Sequence, residues 1–375
     1  MIDNYLNSIP YIWHILLDKL NLVYLVDKCT KTRQLKKSFY ILLLSFISFN
    51  ASAQQSLDSL WRVWNDESQA DTARTYAQQT LSNEHYLYIN NDSALISANL
   101  AIQFAEQKNL PKEKARGLLI RSKVMEQIGQ PDNAIDDVVK AEKLFRDVQD
   151  EESATKCLNI QGNYHTRQDD QKEAIKCYTQ ALTYYRKVEN HKGEAGCLIN
   201  TASLYPMEDI QRKNLASQGI AICREYGYDD FLAVGLGALS AYYFALYDFD
   251  EQTKLNNEIL DIQRKLGNKR GELLALTNIG NVFESINLYD SALYYYDKVI
   301  TGSASSYPYL YANTLANKSI VLWESGRHQE SLDAINTAIK SAEARKERSL
   351  MITLHKRLSE YLPEIGRHED ALYHF

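Results

Sequence analysis

The residue types that carry chemistry are present in this chain but not in arrangements that perform it. There is no HExxH, no phosphate-cradling GxxxxGK[ST], no GxSxG and no CxxC anywhere in the 375 residues. Gly235-Leu236-Gly237 lacks the third glycine of a dinucleotide loop and falls in a helical pattern, not after a strand. His165, His191, His328, His355, His368 and His374 show no metal-ligand spacing within one helix. Cys157 and Cys197 are 40 residues apart, which gives them one place in successive copies of a repeated unit. Helices pack about 8–10 Å apart, and a disulfide needs Cα atoms within about 7 Å. Both are therefore expected to stay thiols, as are Cys177 and Cys223. The chain is expected to be no enzyme and to use no metal and no cofactor.

The elements that would position any functional group are paired helices. In Leu273 to Ile300, Leu276, Ile279, Gly280 and Phe283 recur at helical spacing. After a polar turn, Ala292, Tyr296 and Val299 recur likewise. Gly280 and Ala292 are small, as close helix contact requires. Neither helix has enough apolar surface to fold alone. Sliding the unit along the chain gives anchors at Ala94, Ala134, Ala174, Asn214, Gln252, Ala292, Ser331 and Ala371. Seven residues on come Ala101, Ala141, Ala181, Ala221, Ile259, Val299 and Ala338. A near-constant period of about 40 residues in paired helices predicts a solenoid, each unit burying its face on the next. Glycine (15) and proline (6) are too scarce to oppose an all-helical reading.

The unit resembles the tetratricopeptide repeat. That family places a large apolar residue, Leu, Gly and Tyr on its first helix, then Ala, an aromatic and Ala on its second. One unit carries Leu276, Ile279, Gly280, Phe283, Ala292 and Tyr296; another carries Leu158, Gly162, Ala174, Tyr178 and Ala181. The long period, and links such as Asn190-His191-Lys192-Gly193 and Gly267-Asn268-Lys269-Arg270-Gly271, are similar to the extended repeats of kinesin light chains and spindle-orientation scaffolds. The resemblance covers roughly residues 89–375. It weakens in the fourth unit, where Pro206 follows Tyr205. It implies an all-α, right-handed superhelical solenoid of helix-turn-helix repeats.

It also implies a site. First helices line the groove of such arrays, and asparagine is favoured there because its amide both donates to and accepts from a peptide backbone. Matched residue by residue, Asn200, Asn278 and Asn317 share one first-helix position, interrupted by Ile160 and Ala238. Asn163 and Asn281 stand three residues further along the helix, and Lys123, Lys156 and Arg167 lie on the same face. The two-carboxylate clamp of the co-chaperone members is not reproduced in full. The implied partner is a protein or an extended peptide. Tyrosine is abundant (26 residues), but within Tyr294-Tyr295-Tyr296 and Tyr242-Tyr243 one residue each, Tyr296 and Tyr243, fits a core position.

Three flanking expectations complete the reading. Residues 1–53 read as a leader: Lys31, Arg33, Lys36 and Lys37, then the apolar run Ser38 to Phe49, then Ala51-Ser52-Ala53 follow the order of a secretory signal. Residues 1–34 are long for that purpose and are either an over-read start or a functional extension. Gln54, not Cys, follows the cleavage pattern, which opposes a lipid anchor. The mature protein would act outside the cytoplasm, in the periplasm or on the membrane's outer face. Leu57, Leu60, Trp61 and Trp64 open a helical stretch, residues 54–88, that reads as an N-terminal cap to the array. The array at 89–375 comprises about seven and a half units, the last stopping at the second helix's aromatic position. The alternative to a free-standing scaffold is thus a sensor region severed from a membrane-bound nucleotide cyclase, histidine kinase or DNA-binding regulator, with membrane contact only through a missing downstream segment. Charge opposes a nucleic-acid partner. The net charge is −6, and setting aside the six Lys/Arg and three Asp/Glu of residues 1–53 leaves 36 basic against 45 acidic side chains, or −9.

Overall fold

Why the chain turns where it does is written in its links. In a computed structural model that describes residues 57–374, most helices run 17 residues and end on one residue of positive φ: Asn109, Gly129, Gln149, Asp169, Glu189, Gly227, Tyr247, Gly267, Asn287, Gly326, Lys346 and Gly366. The next backbone N–H reaches back five residues, as Leu110 N does to Ala105 O and Asp170 N to His165 O. This closes orphaned carbonyls at each helix end. Side chains then open the following helix: Asn90, Asp170, Asn190, Asp209, Asp248 and Asn268 each accept a backbone N–H of its first turn. Gly193 and Gly271, expected in links, sit inside those first turns. A Cβ on Gly193 would lie 2.5 Å from the Tyr185 ring. The expected leader, residues 1–53, lies outside the described residues.

The chain divides into two compact units, one ending at Asp150 and the other beginning at Glu151. In the first, a helical stretch at 57–65 precedes α1 (Asp71–Thr80), a π-helical turn (Leu81–Tyr86), α2 (Asn91–Gln107), α3 (Pro111–Gln127) and α4 (Pro131–Asp147). The α1 helix packs on α2 and α3, and α3 on α4. Arg121 of α3 forks onto Asp137 of α4 at 2.7 Å through two nitrogens and reaches Asn99 of α2 at 2.8 Å. Asp137 is buried, and such a charge is tolerated only when paired this well.

The second unit holds α5 (Glu151–Arg167), α6 (Gln171–Lys187), α7 (His191–Leu204), α8 (Ile210–Tyr226), α9 (Asp229–Ala245), α10 (Phe249–Lys265), α11 (Lys269–Ser285), α12 (Tyr289–Ser303), α13 (Pro308–Glu324), α14 (His328–Ala344), α15 (Arg348–Glu364) and α16 (His368–His374). Each packs on its neighbours in sequence, so the fold is an all-α solenoid of helix-turn-helix repeats. Odd-numbered helices are the first, and even-numbered the second, of each pair. No strand occurs among the described residues. Anchors Ala94, Ala134, Ala174 and Ala292 are fully buried. Tyr178 and Tyr296 lie almost wholly inside, their rings set where glycine makes room. A Cβ on Gly162 would be 2.5 Å from Tyr178 Cε1, and one on Gly280 2.6 Å from Tyr296 Cε1.

The fourth pair corrects the register. Asn214 and Ala221 are exposed, whereas Arg212, Ala216, Gly219 and Cys223 are buried. The anchor is Arg212. Pro206 forces Tyr205 into extended backbone, α7 stops at 14 residues, and two residues are lost before the next anchor. The Arg212 guanidinium fills the gap. It donates to Tyr205 O at 2.6 Å, Ser203 O at 3.0 Å and Pro206 O at 3.2 Å, taking the carbonyls that the shortened helix leaves open. Of the paired tyrosines, Tyr242 is the buried one, while Tyr243 is only partly covered. All four cysteines after residue 53 are buried thiols, none in a disulfide.

Candidate functional site

The asparagines of the first helices do not stand alone. Each of two ladders joins a buried tyrosine to two of them. In the first, Tyr178 of α6 donates its hydroxyl to Asn163 Oδ1 of α5 at 2.6 Å, and Asn200 Nδ2 of α7 donates to the same oxygen at 3.4 Å. In the second, Tyr296 of α12 donates to Asn281 Oδ1 of α11 at 2.7 Å, and Asn317 Nδ2 of α13 adds a bond at 3.2 Å. The pattern repeats because Gly162 and Gly280 let the ring pass between two helices, so that the hydroxyl emerges beside the asparagine. The inner asparagine spends its oxygen on two donors and keeps its amide hydrogens. The outer one spends one hydrogen and keeps its oxygen. Each ladder therefore offers a donor and an acceptor side by side, which is what a peptide unit requires.

Asn278 differs. It is exposed, and its amide has no protein partner among the described residues. The position that would receive it on α9 is Ala241. Asn163, Asn200, Asn281 and Asn317 are half-buried. Lys156 is exposed and pairs with Glu152 at 2.6 Å. Arg167 is exposed and lies over the Tyr164 ring at 5.7 Å. Lys123 belongs to the other compact unit, where it donates to Asn83 at 3.0 Å.

Two groups of functional weight escaped the sequence reading. Arg357 of α15 donates to Ala316 O and, at 3.1 Å, to Ser319 Oγ of α13. Counting forty residues from Asn317 lands on it, so the signal was there. Asn200, Asn317 and Arg357 all reach back to the preceding first helix from one shared position. Between α13 and α15 lies a recess of about 400 Å³ lined by Tyr309, Asn313, Asn317, Glu347, Arg348 and Arg357. Neither arginine has a carboxylate within ion-pair distance among the described residues. The other group is Glu284 of α11, whose Oε2 lies 2.5 Å from the Tyr296 hydroxyl. Burial pushes the Glu284 carboxyl above the usual range, against the opposing pull of that hydroxyl and of Arg357. Burial, reinforced by Glu284, drives Tyr296 far upward, so its hydroxyl keeps its proton.

Among the described residues no group of three or more His, Cys, Asp or Glu could hold a metal ion.

Paired helices with a glycine–tyrosine contact and an asparagine-bearing first helix define the class, a helical-repeat solenoid of tetratricopeptide type. Residues 155–188, which span α5 and α6, match the tetratricopeptide repeat family. Solved structures share the fold at low identity. The chain is similar to a signal transduction ATPase with numerous domains that carries a tetratricopeptide repeat sensor, from Pyrococcus horikoshii, at a TM-score of 0.62 and 13% identity. That match covers 92% of this chain but 52% of the other, so the chain spans about half that protein's length. It is also similar to the apo quorum sensor NprR of B. thuringiensis, with a TM-score of 0.59, 13% identity and 97% of each chain covered. A Rap protein complexed with competence and sporulation factor matches with a TM-score of 0.53 at 14% identity, over 86% of this chain and 95% of that one. No curated protein matches in sequence.

Proposed function

We propose that the protein is a non-catalytic scaffold that binds an extended peptide, or an extended segment of a protein, across the odd-numbered helices of its second compact unit. The observation that carries this reading is the pair of tyrosine–asparagine ladders. Each holds a donor and an acceptor side by side, with Asn278 open beside the second. Arg348 and Arg357 at the α13–α15 recess suit an acidic group of the same ligand. Support comes from NprR, solved in complex with its cognate peptide NprX at a TM-score of 0.50 to this chain, and from the Rap complex with competence and sporulation factor. We place this activity outside the cytoplasm, on the basis of the basic-apolar-small order of residues 31–53. A second reading is that the array senses its ligand on behalf of a longer protein. The match to about half of a multidomain signalling ATPase favours it.

The test is selection from a displayed random-peptide library, followed by affinity measurement on the selected peptides. Asn278→Ala should weaken binding about fivefold, one hydrogen bond's worth, and leave stability unchanged. Asn281→Ala should weaken binding and also cost about 1 kcal/mol of stability, because Asn281 accepts from Tyr296 and Asn317. Lys298→Ala, on exposed α12 surface, should alter neither. Selected peptides that bind all three variants as tightly as the parent would overturn the reading.

A further inference from the structure

The second ladder contains more acceptors than protons. The Tyr296 hydroxyl lies 2.7 Å from Asn281 Oδ1 and 2.5 Å from Glu284 Oε2, yet it carries one hydrogen. The first ladder is free of this conflict. There the residue matching Glu284 is Thr166, whose hydroxyl gives its own proton to Gly162 O at 2.8 Å and stands 3.3 Å from the Tyr178 hydroxyl. Tyr178 is left to serve Asn163 alone.

We propose that Glu284 is a positioning residue that sets, through the single proton of Tyr296, which way the Asn281 and Asn317 amides face the binding surface. Two proton arrangements satisfy the wire. With Glu284 protonated, its O–H donates to the Tyr296 oxygen and Tyr296 donates to Asn281 Oδ1. Asn317 Nδ2 donates to the same oxygen, and the surface is offered the Asn281 hydrogens and the Asn317 oxygen. With Glu284 ionised, its proton has gone to solvent and Tyr296 donates to the carboxylate. Asn281 turns its amide over, so that Nδ2 donates to the Tyr296 oxygen and to a turned Asn317 Oδ1. The surface is then offered the Asn281 oxygen and the Asn317 hydrogens. Donor and acceptor have exchanged places while no backbone atom moves.

The groups that act on Glu284 are few. From α12 it meets Tyr296 and from α15 the field of Arg357; no charged group of α10, α13 or α14 acts on it. Burial favours the protonated form and Arg357 the ionised one, so the two arrangements exchange as pH rises through the raised pKa of Glu284. The consequence for ligands is a matter of sense. In the protonated arrangement both ladders present amide hydrogens from the inner asparagine, Asn163 and Asn281 alike, and suit a peptide that places a carbonyl at each. Ionisation reverses only the second ladder. This consequence rests on the peptide-binding reading above; the wire itself does not.

The experiment is therefore done on the unliganded full chain. Carboxyl carbons of glutamate and side-chain amides of asparagine are labelled and followed by NMR from pH 4 to 9. The expected result is that the Asn281 and Asn317 amide resonances shift with the midpoint at which Glu284 titrates, while Asn163 and Asn200 do not follow it. Glu284→Gln and Glu284→Thr, the latter copying Thr166, should abolish that titration. Amides of Asn281 and Asn317 that stay still while the Glu284 carboxyl titrates would overturn the proposal, whether or not the variants fold. For peptides selected at pH 5, affinity should fall about fivefold above the Glu284 midpoint in the parent and stay level in Glu284→Gln. A protein with the amide titration but no peptide binding would sink the groove reading and leave the wire standing.

Discussion

Gly280→Ala is the sharpest test of the packing argument. The added Cβ would sit 2.6 Å from Tyr296 Cε1 and 2.9 Å from Cδ1, inside any ordinary contact distance. The ring cannot step aside. Tyr296 is fully buried and its hydroxyl is held by Asn281 and Glu284. Overpacking of this kind costs about 1–3 kcal/mol. Loosening the hydroxyl bonds adds about 1 kcal/mol, against a gain of about 0.5–1 kcal/mol from replacing a helical glycine. The expected net loss is about 1–3 kcal/mol. Gly237→Ala is the internal control. It too is a helical glycine of a first helix, but nothing lies within 4 Å of its Cβ position, so it should gain about 0.5–1 kcal/mol. Urea unfolding followed by far-UV circular dichroism should move the two midpoints in opposite directions. A Gly280→Ala midpoint at or above the parent's would refute the reasoning that glycine is there to admit the tyrosine.

Arg212→Met should destabilise by about 1–3 kcal/mol, since the carbonyls of Ser203 and Tyr205 lose their donor. Arg212→Lys should recover less than half of that in the same melt, because an ammonium cannot fork. Burial pushes the Cys197 thiol up to about 12 and Cys223 up to about 11. A thiol reagent at pH 8 should find none of the four cysteines after residue 53 in the native protein and all four once it is denatured. Glu284 has its folded pKa raised, so its contribution to stability is present below the unfolded pKa and is lost as pH rises through the folded one. Glu284→Gln should thus melt with the parent near pH 4 and above it at pH 8.

The paired helices were legible because their period is set by burial. Ala174, Tyr178 and Ala181 recur as Ala292, Tyr296 and Val299, and all six are buried. The register failed only where a backbone event intervened. A constant spacing carried through Pro206 lands on Asn214, and nothing in an amphipathic pattern says that a buried arginine will stand where alanine stands elsewhere. The asparagine rows could be aligned from sequence, but the partner that fixes their direction could not. Tyr296 reads as core, and only in three dimensions does its hydroxyl prove to be the ladder's inner rung. Glu284 gives no signal in the sequence for the same reason: a carboxylate three residues beyond an asparagine is ordinary helix surface until a tyrosine arrives beneath it.

The links carry one more lesson. With three exceptions, after α7, α8 and α12, the described turns between consecutive helices from α2 onward use the same three-residue geometry. The backbone thus has a beat of twenty and contains no mark that distinguishes a link within a pair from a link between pairs. Parity is kept by side chains alone. Duplicating forty residues would extend the chain in phase, whereas duplicating twenty would be just as comfortable for the main chain and would exchange the two helix roles in everything downstream, pressing lysines and glutamates into the interior. Growth and loss in such a lineage should therefore occur in even numbers of helices, and a half-step would survive only at an end of the array.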